Sequence, residues 1–203
     1  MHPLPSANRE SNRLRPVFQL AESCSYEAEH AHQVTRLALR LFDELQTLHG
    51  FGEEERFWLQ CGALLHDIGW IEGQRGHHKA SLRIILDTPL LPFSPRQKLI
   101  IGSIARYHRK ALPSERHEHY TALGPAERDT VRILAAILRV ADGLDRTHRS
   151  IVEDVSCEVT AQQIFVQCVV SAPAEPERLE ALDKGRLLEQ ASGRQLVIKW
   201  ALN

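Results

Sequence analysis

The residues best able to do chemistry in this sequence are histidines and aspartates on otherwise apolar segments. His66 and Asp67 stand side by side at the end of the apolar run LQCGALLHD, and a glycine-spaced loop leads from them to His77 and His78. Burying a carboxylate beside imidazoles is costly unless the groups are paired or bind a metal. This stretch is therefore the first candidate for a functional site.

Three further residues fit the same pattern. His30 lies four residues before Val34, on the apolar stripe of its segment. Asp142 continues a second apolar stripe at steps of three and four, and His108 occurs in the stretch IARYHRK. Carboxylates among neutral imidazoles lack a balancing cation, which a divalent metal supplies. Imidazole with carboxylate suits zinc, iron, manganese, cobalt or nickel.

Each of these residues also has an ordinary structural interpretation. A single histidine on a helix face is more often a hydrogen-bonded core or surface residue than a ligand. Asp142 has Arg146 one helical turn away as an ion-pair partner. His66 and Asp67 fit a C-terminal helix histidine followed by a turn-forming aspartate. The joint pattern, and no single residue, favours a metal site.

Apolar periodicity predicts the elements that position these groups. Helices are predicted over 26–49, 53–67, from about 78 to before Pro89, 94–109 and 126–147, with a polar loop over 110–125. After residue 150, alternating apolar and polar residues predict two strands, a helix over 176–191 and a closing strand. The predicted fold class is mainly α, with a small β-β-α-β C-terminal portion.

Length and composition narrow the class of protein. A chain of 203 residues is one domain, or one domain with a small appendage. A formal net charge of -1 provides no field that would recruit nucleic acid. No apolar run approaches 18 residues, and the first residues lack the apolar centre of a secretory signal. The expected location is cytoplasmic, and the polar start predicts a flexible arm.

The order of a histidine, a His-Asp doublet and an aspartate resembles the HD superfamily of metal-dependent phosphohydrolases. The first histidine lies in EHAHQV, the doublet in LLHDIG and the last aspartate in LRVADGLD. His30, His66, Asp67 and Asp142 match the four signature positions of that superfamily. The resemblance implies a helical bundle with its metal in the middle, and a catalytic as well as ligating role for His66 and Asp67.

Two additional histidines bear on the number of metals. In HD proteins with dinuclear sites, extra histidines follow the doublet. His77, four residues before Ser81, matches that position better than His78, and His108 matches the next one. If both bind, Asp67 bridges two metals, and such a site clamps a phosphate and activates water. The resemblance thus implies one or two divalent metals per chain, from among Mn, Fe, Zn, Ni, Co and Mg.

A narrower resemblance covers most of the chain from about Cys24 onward. The stretches FDEL, LLHDIG, GHHKAS, PLLPFS, IARYHRKALP and LRVADGLDRTH look like the C-terminal region of the exopolyphosphatase/guanosine pentaphosphate phosphatase family. That family carries its main hydrolase chemistry in an actin-like N-terminal part, and no phosphate-binding glycine loop of that kind occurs here. The resemblance implies an HD-type module, expected to be free-standing, and not exopolyphosphatase activity.

Substrate-binding residues are predicted next to the ligands. Arg106, Arg109 and Lys110 flank His108 and predict a basic rim for a phosphorylated substrate. For each of them, a position on a solvated helix face is the alternative. Asp145 and Arg146 lie one helical turn beyond Asp142, and analogy with the HD superfamily implies that they orient the substrate or a ligand histidine. The predicted set is Arg106, Arg109, Lys110, Asp145 and Arg146.

These inferences combine into one predicted organisation. Residues 1–22 are predicted to form the flexible N-terminal arm, 23–150 an HD-type helical metal-binding domain, and 151–203 the β-β-α-β portion packed on it. The predicted function is a divalent-metal-dependent phosphohydrolase that cleaves a phosphate ester or phosphoanhydride of a nucleotide or other small phosphorylated metabolite. The alternative is a non-catalytic or regulatory module that binds polyphosphate or guanosine polyphosphates. Neither nucleic acid nor a membrane is an expected partner, and a homodimer is left open.

Overall fold

A computed structural model describes residues 6–202, and the side chains of residues 12–200. The α-helices are α1 (Ser6–Ser23), α2 (Ala28–Glu44), α3 (Gln46–His49), α4 (Glu53–Leu64), α5 (His77–Asp87), α6 (Pro95–Arg106), α7 (Glu118–Thr121), α8 (Pro125–Gly143) and α9 (Glu175–Ser192). A 3-10 helix (Ile68–Glu72) precedes α5. The strands are β1 (Val152–Val159), β2 (Gln163–Val170) and β3 (Gln195–Leu202). The described chain is mostly helical, with one small sheet near its C-terminal end.

Helices α2 and α8 form the centre of the helical part. They pack against each other, and α4 and α6 pack beside them. The apolar stripe of α2 is fully buried at Val34 and Leu37, and that of α8 at Val131 and Leu134. Full burial of one such side chain stabilises the fold by about 2 kcal/mol. The polar groups that interrupt these stripes are therefore held in a rigid setting.

The first helix corrects one expectation from the sequence. Residues 1–22 were predicted to be a flexible arm, but α1 is helical from Ser6 and packs against α4. Its buried residues recur at spacings of three and four, which places them on one helix face. They are Leu14, Val17, Leu20 and Ala21. Many exposed polar residues in the same segment conceal this stripe in the sequence. Residues 1–5 lie outside the described part.

The C-terminal portion has the predicted β-β-α-β order. Strands β1 and β2 are antiparallel, with Val155 opposite Cys168, whereas β2 and β3 are parallel. A parallel pair needs a long crossover connection, and α9 provides it. This crossover packs α9 along α8, while β1 contacts α2. The sheet and its helix are thereby fixed to the two central helices.

Gly143 allows the close packing of α9 on α8. A Cβ atom at this position would lie 2.5 Å from Cα of Ala181 and 2.7 Å from its backbone nitrogen. Neither backbone atom is able to move without moving α9. The absence of a side chain at the last residue of α8 is therefore a packing requirement.

We expect Gly143→Ala to destabilise the protein despite the better helix propensity of alanine. Propensity favours alanine by about 1 kcal/mol, but forcing α9 away costs more, so we expect a net loss of about 2 kcal/mol. For a chain of this size that loss lowers Tm by roughly 4–8 °C. Gly52→Ala is the matched control, because its Cβ would meet only Oε2 of Glu55, at 3.7 Å. An unchanged or higher Tm in Gly143→Ala would contradict the close packing.

Among residues 6–202, no helix combines the length and the apolar character needed to cross a membrane.

Candidate metal centre

Six potential metal-ligating side chains lie in two groups of three. The first group consists of His30, His66 and Asp142, and the second of Asp67, His77 and His108. Within each group, one ligand atom from every residue lies within 4.8 Å of the others. These are the six residues predicted from the sequence. Their role as metal ligands is taken up below as a proposal.

Helix ends bring these side chains together. Helix α4 ends at Leu64, earlier than the predicted 67, so His66 and Asp67 lie in the turn that leads to the 3-10 helix. His77 begins α5, and His108 follows two residues after the end of α6. Side chains at or near the ends of several helices thus converge on one region between them.

Asp67 lies between the two groups. Its Oδ1 is 3.1 Å from Nε2 of His77 and 3.3 Å from Nε2 of His108. Its Oδ2 is 3.5 Å from Nε2 of His66, a member of the first group. One carboxylate oxygen therefore faces each group. This is the arrangement expected of a carboxylate that bridges two cations.

Hydrogen bonds on the far side of the rings fix the orientation of three imidazoles. Nδ1 of His66 donates to the carbonyl of Ala63 at 2.7 Å, and Nδ1 of His108 donates to that of Ala105 at 2.7 Å. Nδ1 of His77 likewise donates to a carbonyl three residues earlier, at 2.9 Å. A carbonyl oxygen only accepts, so each Nδ1 carries the proton. In the neutral ring, Nε2 then presents a lone pair to the site.

His30 is oriented by a carboxylate instead. Its Nδ1 donates to Oδ2 of Asp145 at 2.8 Å, and its Nε2 lies 3.4 Å from Oδ1 of Asp142. Asp145 is buried and also accepts a hydrogen bond from the backbone N–H of Ser150. The ring of His148 stacks on His30 with centroids 3.7 Å apart. Asp145 therefore orients the ring of His30 and is not itself a member of either ligand group.

Two unpartnered atoms test whether a cation fits this site. Among the described residues, Nε2 of His66 and Oδ1 of Asp67 are buried and have no hydrogen-bond partner. Buried polar atoms are normally partnered. Nε2 of His77 lies 3.1 Å from that carboxylate oxygen but forms no hydrogen bond with it. A cation between such groups removes the mismatch, and the nitrogen and oxygen donors suit a divalent transition metal. The residues present fit a metal.

The protonation of the ligands without metal follows from burial and neighbouring charge. Burial raises the pKa of Asp67, but the neighbouring imidazoles, His66 before His77 and His108, outweigh it and hold the pKa well below its usual range. Burial lowers the pKa of His30, but hydrogen bonds to both neighbouring aspartates raise it to about 9. Burial lowers the pKa of His108 to about 3. The carboxylates are thus ionised and His108 is neutral at pH 7.

Lys184 is a partner of the site that the sequence did not reveal. Its ammonium group, on α9, forms an ion pair with Oδ2 of Asp142 and lies 3.5 Å from Oε1 of Glu180. Burial raises the pKa of Asp142, but Lys184 and His30 outweigh it and hold the pKa well below normal. No spacing rule links residues 142 and 184, because the contact depends on the crossover between β2 and β3.

Both groups open into one cavity of about 290 Å³. Of the predicted substrate-binding residues, Arg109 and Arg146 line it. The lining residues do not include Arg106, Lys110 or Asp145. Side chains of the lining that the sequence analysis missed are Trp70, Gln74, His148, Glu180 and Lys184. The cavity therefore combines ionised ligands with three cationic side chains.

The choice between His77 and His78 can be compared with the geometry. His77 faces Asp67, and Trp70 stacks on its ring with centroids 4.9 Å apart. His78 belongs to neither ligand group. Burial and the charge of Arg106 lower the pKa of His78 to about 4. The preference for His77 as the ligand stays a prediction.

Comparisons with known proteins connect the chain to phosphatases. The family described as Ppx/GppA phosphatase, domain III, matches residues 13–183. A guanosine-5'-triphosphate,3'-diphosphate pyrophosphatase of Vibrio vulnificus is 27% identical over 194 residues, which cover 94% of this chain and 37% of that protein. A protein of the same name from Pseudoalteromonas atlantica is 24% identical over 139 residues, which cover 68% and 27%. The chain thus spans about a third of the curated relatives it matches.

Proposed function

The chain belongs to the family of Ppx/GppA phosphatase, domain III, and from this premise we propose that it is a divalent-metal-dependent phosphohydrolase. The proposed reaction is hydrolysis of a phosphate ester or phosphoanhydride in a nucleotide or other small phosphorylated metabolite. The observation that carries the proposal is Asp67. One carboxylate oxygen of Asp67 faces each of the two ligand groups, and its Oδ1 has no hydrogen-bond partner among the described residues. Asp67 also lines the cavity that contains cationic side chains.

We also propose that the helical part, residues 23–150, is an HD-type bundle. The order of His30, His66, Asp67 and Asp142 supports this assignment, as does their meeting between the central helices. Residues 151–203 would then be the C-terminal portion packed on that bundle. The contribution of Lys184 to the cavity supports treating both parts as one functional unit.

The proposed roles follow from the contacts. His30, His66 and Asp142 would hold one divalent cation, and Asp67, His77 and His108 a second. Bound divalent cations polarise phosphoryl oxygens and lower the pKa of water. Asp145 would keep Nδ1 of His30 protonated, so that Nε2 carries the lone pair. The site then has a fixed set of donors.

Substrate binding is assigned to the cations of the cavity. Arg109, Arg146 and Lys184 line it, and each is able to form charge-assisted hydrogen bonds with a phosphoryl group. The exposed ring of Trp70 provides an apolar surface at the same opening. A phosphorylated compound with a flat organic group fits this combination. The names of the relatives motivate guanosine nucleotides as the first substrates to test.

A second candidate function is a module that binds polyphosphate or a guanosine polyphosphate without hydrolysing it. The ion pair between Lys184 and Asp142 favours this alternative, because it balances one ligand carboxylate without any metal. The two functions differ in metal content and turnover, so one set of measurements separates them.

The test combines metal content with hydrolysis. Metal would be measured by mass spectrometry after loading with Mn²⁺ or Zn²⁺, and hydrolysis with p-nitrophenyl phosphate, bis-p-nitrophenyl phosphate and guanosine polyphosphates. His30→Asn is expected to lose metal and activity. His32→Asn is the matched control, since that residue lies two positions away, outside both ligand groups, and contacts Tyr26. Metal-free parent protein that binds guanosine polyphosphates without turnover would favour the binding module.

We expect Lys184→Met to separate metal binding from substrate binding. Loss of the ammonium group leaves Asp142 without its cation, so the metal-free protein should lose about 3 kcal/mol of unfolding free energy. Added Mn²⁺ should then stabilise the variant more than the parent. KM should rise about tenfold, because one charge-assisted hydrogen bond to the phosphoryl group is lost.

Urea unfolding with and without Mn²⁺, together with steady-state kinetics, measures both effects of Lys184→Met. Lys199→Met is the control, because that ammonium group lies over the Phe165 ring, outside the site. Unchanged KM and unchanged stabilisation by Mn²⁺ would contradict the role given to Lys184.

A further inference from the structure

Arg106 is a buried cation without a counter-ion. It is the last residue of α6, with 5% of its surface exposed. Its Nη1 has no hydrogen-bond partner, and no ion pair joins it to a carboxylate among the described side chains. The carbonyl end of a helix favours a cation, but by less than the desolvation of a buried guanidinium costs. Charged side chains at this depth are normally paired.

The groups around Arg106 are aromatic or cationic. Its Cζ lies 5.6 Å from the centroid of the Tyr107 ring, and the rings of His117 and His119 lie 5.6 and 5.4 Å from the same ring. The Tyr107 hydroxyl is already engaged with Nδ1 of His117 at 2.8 Å. Nε2 of His119 is buried and has no partner. Two buried nitrogen atoms without a hydrogen-bond partner among the described residues therefore belong to side chains that contact the same buried tyrosine.

The electrostatic surroundings also lack a negative charge. After burial, the charge of Arg106 is the next largest cause that lowers the pKa of His117 and of His119. Among the described residues, no carboxylate raises the pKa of either ring. The guanidinium therefore has no acid that balances its charge on this side.

We propose that Arg106 and His119 form a binding site for a phosphate group, separate from the metal-ligand cavity. A guanidinium binds a tetrahedral oxyanion through two parallel hydrogen bonds, and an imidazole N–H adds a third. Arg106 does not line the cavity at Asp67, whereas its neighbour Arg109 does. His117 is partly exposed, so the cluster borders solvent on that side.

Two sources of such a phosphate group are compatible with the cluster. One is a second phosphate of a polyphosphorylated substrate, a version that rests on the proposed function. The other is free inorganic phosphate. Arg106 precedes His108 by two residues, so the cluster lies close to the second ligand group. Both sources require the same binding chemistry, and the tests below distinguish them.

The first test uses inorganic phosphate and the full chain, freed of metal by chelation, in a buffer without phosphate or sulfate. Phosphate is expected to raise the Tm of the parent and to give a saturable heat of binding. Arg106→Met should lose both responses and should have a Tm without phosphate equal to or above that of the parent. Arg186→Met is the control and should keep the phosphate response, because this exposed arginine pairs with Asp183 and does not line the cavity.

His119→Phe keeps the proposal testable if Arg106→Met does not fold. Phenylalanine preserves an aromatic ring of similar size and removes the donor, so phosphate affinity should fall about tenfold with the fold intact. A parent that does not respond to phosphate would overturn the proposal. So would a phosphate response that persists in Arg106→Met, or in His119→Phe at full strength.

The second test identifies the source of the phosphate, using metal-loaded enzyme. If a substrate supplies it, Arg106→Met should raise the ratio of KM for a nucleoside triphosphate to KM for p-nitrophenyl phosphate about tenfold. If free phosphate is the ligand, that ratio is unchanged, and only the effect of added phosphate on the rate is lost. Absence of any hydrolysis would defeat the proposed function but would leave the binding result in metal-free protein standing.

Discussion

Asp67→Asn is expected to abolish hydrolysis and to reduce metal content to one cation or none. Asparagine has the same shape as aspartate but lacks the charge that faces both histidine groups. In the proposed mechanism Asp67 would help to hold both cations, so loss of its charge should remove about 4 kcal/mol or more of transition-state stabilisation and lower kcat/KM at least about 1,000-fold. Metal content by mass spectrometry and steady-state kinetics on parent and variant measure the effect.

The fold should survive this substitution. Without metal, the ionised Asp67 stabilises the folded state above the pKa of an unfolded aspartate, and this contribution is lost as pH falls, because the pKa in the folded state is lowered. Asp67→Asn should therefore flatten the acid side of the stability curve. Asp43→Asn is a control, since that carboxylate pairs with Arg56 outside the site. Full activity in Asp67→Asn would show that the Asp67 carboxylate is not needed for the reaction.

Gly69→Ala is expected to be the most destabilising glycine substitution described here. A Cβ atom at Gly69 would lie 2.0 Å from the carbonyl oxygen of His77 and 2.6 Å from the backbone nitrogen of Ser81. The 3-10 helix must then separate from α5. Such overpacking against backbone costs about 3 kcal/mol, which lowers Tm by roughly 6–12 °C.

The same separation should disturb the site. Ser81 donates to the carbonyl of His66 and accepts from the N–H of Gly69, so it joins the turn that carries Asp67 to the helix that carries His77. Gly69→Ala should therefore weaken metal binding at the second group more than at the first. Calorimetric titration with Zn²⁺ and thermal unfolding measure the two effects, with Gly52→Ala as the control. A variant with parental Tm would contradict the tight contact.

Local rules account for much of the fold. The Ser-Pro start of α6 is a helix N-terminus in the structure, where the hydroxyl of Ser94 accepts from the N–H of Gln97. The apolar stripes of α2 and α8 placed His30 and Asp142 on the inner faces of their helices, where they are buried. Periodicity of 3.6 residues carries this information directly. The choice of His77 over His78 and the role proposed for His108 came instead from the resemblance to the HD superfamily, and not from periodicity.

Other features depend on long-range packing. The apolar stripe of α1 was not recognised in the sequence because polar residues separate its members. Helix α4 ends at Leu64 and is followed by a turn. The contact of Lys184 with Asp142 exists only because β2 and β3 are parallel and α9 must cross between them. Arg106 and Arg109 differ by three positions, yet only Arg109 lines the cavity, because the chain leaves the helix at Arg106. None of these facts is encoded in residue spacing.

The crossover through α9 has a consequence for the order in which this chain is made. Every residue of the two ligand groups leaves the ribosome before Lys184 does. Until α9 is synthesised, Asp142 lacks its ammonium partner, and Gly143 has no helix to pack against. Contacts between residues far apart in sequence form late and slow the folding of a domain. A nascent chain that has reached β2 therefore holds all six ligand residues but not yet the closed site.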